Sequence, residues 1–199
     1  MAHLRPLEDS EINDPEILQR FEHYAATRGF TPNSIRTMAR RPGIVKAFMA
    51  LNQSVLYEGT VPKQLKMLVS LACSFAAGCL YCQSHMTNLS HLYHAPDAKI
   101  AALPAFEASD LFTAAEKAAL NLAFRGSAVP NEARQEDFDR LAEHWSEAEI
   151  VEIVASVALF GFLNRWNDTM ATSLEPLPAA RSQEIIGSIG WHAGKHGAG

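Results

Sequence analysis

The pattern of apolar residues, broken at short intervals by glycine and proline, most constrains how this chain can fold. Apolar side chains recur at helical spacing along most of residues 15–172, and no stretch alternates apolar and polar residues as a half-buried strand would. Proline and glycine fall between the periodic stretches, where helices begin and end. The sequence therefore predicts an all-α fold, a single-domain bundle of about eight to ten helices.

Two predicted helices, residues 60–77 and 147–172, are apolar around most of their circumference. Helices of that kind are buried on all sides, so both are expected at the centre of the fold. Ser146 and Glu149 have the capping-box spacing that begins the second of them. Cys73 lies within the first helix and is expected to be a core residue.

The two ends of the chain are expected to contribute least to the core. An N-terminal arm over 1–13 precedes the helical domain, 14–176, and a C-terminal helix with a loose tail follows over 177–199. Pro176 ends the long periodic run, and glycines are frequent after Trp191. Glycine-rich chain ends are commonly poorly ordered.

Composition indicates an ordinary globular protein, with 48% hydrophobic and 20% charged residues among 199. A net charge of −5 argues against a nucleic-acid partner, and Arg36, Arg40 and Arg41 are the main basic cluster. Polar residues interrupt the uncharged stretch 67–84, so no membrane span is predicted. Three cysteines and no apolar leader indicate a reducing, cytoplasmic location.

A C-x-x-C pair, Cys79 and Cys82, follows Gly78 and is followed three residues later by His85. At i and i+3 on a helix predicted over 79–94, the two thiols share one face and can form a reversible disulfide. Cys79 is expected in the first turn, where free N–H groups and the helix dipole favour a thiolate. The residues alone therefore favour Cys79 as the more acidic thiol.

Three segments resemble the alkylhydroperoxidase D-like (AhpD-like) and carboxymuconolactone decarboxylase superfamily, in its peroxidase-related branch. They are 61–66 (V-P-K-Q-L-K), 78–85 (G-C-L-Y-C-Q-S-H) and 149–168, and the likeness extends over most of 15–175. The resemblance implies an all-α fold, assembly into a homo-oligomer (dimer, trimer or hexamer) and no cofactor. It also implies reduction of a small organic hydroperoxide, with a dithiol protein as reductant.

The resemblance also implies roles for the residues of the motif. Cys82 is then the peroxidatic cysteine, which becomes a sulfenic acid, and Cys79 resolves it as a disulfide. His85 moves the proton, work to which histidine is suited near neutral pH. Because the helix-end argument favours Cys79 as the nucleophile, the order of attack stays open.

Two positions depart from the family pattern. Its glutamate, twelve residues before the first cysteine, is replaced by Met67, and its histidine, four residues after the second, by Met86. His85 takes over one position earlier, which places it about 60° around the helix from Cys82. Asp168 is a candidate for the missing carboxylate, and Tyr81 is expected to line the pocket.

Three other interpretations compete with the peroxidase. Zinc binding by His91, His94 and the cysteines is disfavoured because the histidines lie too far along one helix, so no metal site is predicted. A decarboxylase-type lyase would need no C-x-x-C pair. A non-enzymatic oligomeric module for binding or redox sensing would form the disulfide without turnover.

Overall fold

The structure is a computed structural model that describes residues 2–197. Within these residues there are ten α-helices and no strand, so the all-α prediction is confirmed. Short 3-10 helices cover Asp9–Glu11, Leu103–Ala108, Gly187–Ile189 and Gly194–His196. The α-helices are α1 Pro15–Arg28, α2 Asn33–Met38, α3 Pro42–Tyr57, α4 Lys63–Ala76, α5 Leu80–Leu92, α6 Asp97–Ala101, α7 Ala114–Ser127, α8 Gln135–Ala142, α9 Glu147–Met170 and α10 Pro176–Ile186.

Local capping explains most of these boundaries. The Asp14 side chain accepts hydrogen bonds from the first backbone N–H groups of α1, and Gly29 ends that helix with φ of 82°. Ser146 and Glu149 form the predicted capping box of α9. Helix α7 continues through Gly126 to Ser127. Packing of α7 compensates for the low helix propensity of this one glycine.

Helix α4 is the centre of the bundle and packs against α5, α7 and α9. Every residue from Leu65 to Ser74 is buried, Cys73 included. Helix α9 differs from the prediction, because one of its faces is open to solvent. Val151 is 66% exposed and Phe162 is 44% exposed. An apolar sequence therefore does not require burial on every side.

The C-terminal segment is packed rather than loose. Helix α10 packs against α5, and Trp191 Nε1 donates a hydrogen bond to the Leu80 carbonyl at 3.1 Å. His196 is fully buried, and its backbone carbonyl accepts from the Leu174 N–H at 2.8 Å. Burial of these large side chains outweighs the conformational freedom of the neighbouring glycines. Residues 198 and 199 of the predicted tail lie outside the described residues.

A helix that crosses a lipid bilayer needs about 20 predominantly apolar residues. In residues 2–197, none of the helices is both long and apolar enough to traverse one.

Candidate active site

The cysteine pair lies at the junction of α4 and α5. Gly78 turns the chain with φ of 67°, and Cys79 follows in an extended conformation as the N-cap of α5. The Cys79 Sγ accepts a hydrogen bond from the Cys82 backbone N–H at 3.4 Å. The sequence predicted Cys79 within the first turn, but the residue is the N-cap that precedes this turn. Its sulfur takes the place of a capping oxygen.

The two thiols are free, but their surroundings differ. Cys79 is fully buried, whereas Cys82 lines a cavity and is 3% exposed. The Asn167 Nδ2 donates to the Cys82 Sγ at 3.4 Å. Burial and the adjacent Cys79 raise the pKa of Cys82 well above its usual value, although Asn167 opposes this. Cys82 is therefore a protonated thiol at rest and needs a base to become a nucleophile.

A histidine one turn along α5 from Cys82 forms a close pair with a glutamate. The Nε2 of His85 lies 2.6 Å from Oε2 of Glu175. The other oxygen of Glu175 accepts a hydrogen bond from the Tyr81 hydroxyl at 3.1 Å and one from the Asn33 backbone N–H. The Tyr81 ring stacks on the His85 ring, with centroids 4.2 Å apart, and Phe30 packs edge-on against the same imidazole, with centroids 5.4 Å apart. These contacts fix the orientation of the imidazole.

The charge of Glu175 determines what His85 can do. Burial raises the pKa of Glu175, but His85 and the Asn33 N–H more than compensate, so the pKa lies below its usual value. The ionised carboxylate can only accept, so Nε2 of His85 carries a proton. In the neutral imidazole the lone pair is then on Nδ1, which can act as a base, the arrangement in which a carboxylate orients a catalytic histidine.

The remaining candidates from the sequence occupy different places. Tyr81 and Met86 line the same cavity as Cys82, whereas Met67 is buried in α4 and is not among the lining residues. Asp168 lies on α9 and pairs with Lys195 at 2.8 Å. The carboxylate beside His85 is Glu175, which the sequence analysis did not single out. A Glu-Pro dipeptide marks a helix start with an acidic N-cap, the one local signal that pointed to it.

The inner cavity, of about 50 Å³, lies between α1, α3, α5 and α9. Its walls are mainly apolar and aromatic, with a few polar groups among them. Such a composition suits a small, largely apolar molecule. The apolar walls include Phe48, Leu56, Leu89, Phe160 and Leu163, and the polar groups include Asn52, His85 and Asn167.

Cys73 and His91 lie outside the inner cavity. Cys73 is fully buried and does not border the inner cavity, and burial raises its pKa to about 12, so this thiol stays protonated and has no access to a substrate. His91 Nδ1 lies 2.7 Å from a carboxylate oxygen of Asp97, at the far end of α5. Among the residues the structure describes, no three histidine, cysteine or acidic side chains group together as a metal site would require.

Comparisons with known proteins agree with the fold. A model of the carboxymuconolactone decarboxylase family matches residues 42–125. The debrominase Bmp8 is 37% identical, with 92% of this chain and 97% of that chain covered and a TM-score of 0.84. A cysteine-to-alanine variant of Bmp8 in complex with 2,3,4-tribromopyrrole gives 36% identity, coverage of 93% and 98%, and a TM-score of 0.85.

A more distant structure shares the fold alone. It is an uncharacterized peroxidase-related protein from Ralstonia eutropha JMP134, described as an alkylhydroperoxidase AhpD core. The identity is 24%, 89% of this chain and 94% of that chain are covered, and the TM-score is 0.79. No curated protein matches the chain.

Proposed function

The chain belongs to the carboxymuconolactone decarboxylase and AhpD-like superfamily, and we propose that it is a dithiol-dependent reductase of small molecules. In this proposal Cys82 attacks the substrate, Cys79 resolves the product on sulfur, and His85 with Glu175 moves the proton. The observation that carries the proposal is the position of Cys82, which borders the inner cavity beside an oriented histidine with a buried resolving thiol behind it.

The different exposure of the two thiols supports Cys82 as the nucleophile. Cys82 borders the inner cavity, whereas Cys79 is fully buried and is not among the lining residues. The Asn167 amide donates to the Cys82 sulfur and stabilises a thiolate there. Acidity at the start of a helix favours Cys79, but access to substrate is the stronger requirement and favours Cys82.

The proposed base is Nδ1 of His85. Because burial keeps Cys82 protonated, the proton has to leave before the sulfur can attack. His85 is one turn further along α5, on the same side of the helix, and both residues border the cavity. Glu175 stabilises the imidazolium that forms. The imidazolium of His85 then protonates the leaving oxygen or carbon.

A hydroperoxide is the first candidate substrate, and its reduction oxidises the two cysteines to a disulfide. The Cys82 thiolate attacks the terminal oxygen, the O–O bond breaks, and the alkoxide takes the proton to leave as an alcohol. The sulfenic acid on Cys82 is then attacked by Cys79, so that a disulfide forms and water leaves. A dithiol, proposed to be a protein, reduces the disulfide by thiol exchange and is itself oxidised.

A brominated heteroaromatic is the second candidate substrate, and the similarity to the debrominase Bmp8 over nearly the full length of both chains favours it. The Cys82 thiolate would attack bromine, the C–Br bond would break, and the ring carbon would take the proton. Cys79 would then attack Cys82 sulfur and release bromide, with the same disulfide as product. The aromatic walls of the inner cavity suit a flat ring.

The test measures loss of substrate with a dithiol donor, in one arm with cumene hydroperoxide and in the other with polybrominated pyrroles. Cys82→Ser is expected to remove turnover in whichever arm the parent is active. Cys79→Ser should stop after one turnover, with the oxidised sulfur seen by mass spectrometry. Cys73→Ala is the matched control and should retain the parent rate per folded molecule.

Each alternative has its own outcome in the same series. Turnover that survives replacement of both Cys79 and Cys82 would replace the proposal with a lyase of the decarboxylase type. A disulfide that forms and is reduced, with no turnover of either substrate class, would indicate a redox-sensing module. Sedimentation of the parent tests the homo-oligomer that the family resemblance implies.

A further inference from the structure

A second cavity borders the inner one on its solvent side. This outer cavity has a volume of about 230 Å³. It shares four lining residues with the inner cavity, namely Tyr24, Arg28, Tyr57 and Leu89. Because Arg28 lines both cavities, it lies at the wall between them, and it is the only cationic side chain among these four.

The outer cavity has a one-sided charge. Arg20, Arg28, Lys63 and His23 line it, and no aspartate or glutamate is among its lining residues. Within residues 2–197, none of the three Lys and Arg side chains makes a salt bridge. A concave surface lined by one sign of charge attracts the opposite ion and raises its local concentration.

Arg28 is held in place without being neutralised. Its Nη2 donates a hydrogen bond to the Tyr57 hydroxyl at 2.5 Å, and its guanidinium carbon lies 4.4 Å from the centre of the Tyr24 ring. Burial raises the pKa of Tyr57 to about 12, although Arg28 opposes this, so the phenol stays uncharged at neutral pH. A guanidinium carries five N–H donors in a rigid fork, and the protein uses one of them here.

We propose that Arg28 binds the anionic group of the substrate, and that the natural substrates of this site are small carboxylates. This inference rests on the proposed function, since it assigns a substrate class to the same cavity. The reducible bond then lies at Cys82, and the carboxylate lies at the wall that Arg28 forms, where its planar fork matches two oxygens. Arg20 and Lys63 attract the anion from solvent.

The experiment measures binding rather than turnover. The Cys82→Ser protein cannot attack a substrate at this position, so isothermal titration calorimetry can follow 4-bromobenzoate and its methyl ester, which differ in charge. The acid is expected to bind more tightly than the ester. Arg28→Gln should weaken binding of the acid by at least about tenfold, the usual effect of losing a charged hydrogen bond, and leave the ester unchanged.

Two further variants sharpen the result. Arg28→Lys keeps the charge but loses the planar fork, so it should restore part of the affinity for the acid. Arg140→Gln, on α8 and outside both cavities, is the matched control and should change neither affinity. Circular dichroism of each variant checks that it is folded.

Two results would overturn the inference. In the first, the ester binds as tightly as the acid to protein with Arg28 intact, a measurement that does not depend on whether Arg28→Gln folds. In the second, Arg28→Gln weakens both ligands equally, which would make Arg28 a structural residue. Neither result depends on turnover, so a failure of the reductase proposal is seen separately, in the Cys82 and Cys79 series.

Discussion

Two carboxylates in this molecule do the same structural work but leave their partners in different states. Glu152 accepts hydrogen bonds from the backbone N–H groups of Thr60 and Val61, just before α4, and pairs with Lys66 at 2.7 Å. Glu175 accepts from the Asn33 N–H at the start of α2 and pairs with His85. In both cases a carboxylate distant in sequence accepts hydrogen bonds from backbone N–H groups next to a helix start that follows an X-Pro dipeptide.

The partners make the difference. Lys66 is 1% exposed and donates also to the carbonyls of Val55 and Glu58, so its hydrogen-bonding capacity is used within the protein. One ring nitrogen of His85 hydrogen-bonds to Glu175, and the side chain also borders the inner cavity. The first pair is closed and stabilises the fold, whereas the second is open and can exchange a proton with a bound molecule. A buried ion pair is therefore evidence of function only where one member borders a cavity.

The largest expected effect is on the closed pair. Lys66→Met should lower the free energy of unfolding by about 3 kcal/mol, because it leaves Glu152 without its cation and two carbonyls without a donor. Urea denaturation measures this change. Turnover per folded molecule should stay at the parent value, and a parallel loss of turnover would show that the two pairs are not independent.

The next effect concerns the open pair. Glu175→Gln should lower kcat about 100-fold, since a neutral amide neither fixes the tautomer of His85 nor stabilises its imidazolium. Stopped-flow measurement of disulfide formation isolates the step. Glu152→Gln is the matched control, expected to affect the free energy of unfolding but not kcat. Equal rates for parent and Glu175→Gln would remove Glu175 from the proposed mechanism.

Acid should weaken both pairs. The pKa values of Glu175 and Glu152 lie below the usual 4.5 in the folded protein. A carboxylate with a lowered folded-state pKa contributes stability above its unfolded pKa, and this stability is lost as the pH falls through the folded value. The difference in unfolding free energy between parent and Glu175→Gln should therefore shrink below pH 4.5. A difference that is constant from pH 7 to pH 3 would contradict an ionised Glu175.

The sequence predicts features of the fold that local chemistry decides. The bounds of α1 follow from Asp14, Pro15 and Gly29, and the start of α9 follows from Ser146 and Glu149, because each cap acts within one turn. The pairing of Glu175 with His85 joins residues 90 positions apart. No local rule contains that information.

The same limit applies to the packed C-terminal segment and to the two cysteines. Trp191 and His196 are ordered by contacts with α5 and with residues before α10, which outweigh the local signal of the glycines. The motif gave the identity of Cys79 and Cys82, and only the cavity distinguishes which of them can meet a substrate. Sequence thus supplied the reactive groups, whereas tertiary structure supplied their access and their carboxylate.

The smallest effect tests whether the C-terminal segment supports the open pair. Trp191→Phe keeps most of the buried ring but removes the hydrogen bond to the Leu80 carbonyl, at the start of α5. The expected loss is about 1 kcal/mol of unfolding free energy, the usual value for one such bond. Amide hydrogen exchange should show faster opening of the first turn of α5, with the amides of α4 protected as in the parent.

Because Cys79 caps the first turn of α5, local opening exposes the resolving thiol, so the rate of disulfide reduction by a dithiol should rise in the Trp191→Phe variant. Uniform acceleration across α4 and α5 would instead mean that Trp191 stabilises the whole core and has no particular connection to the site.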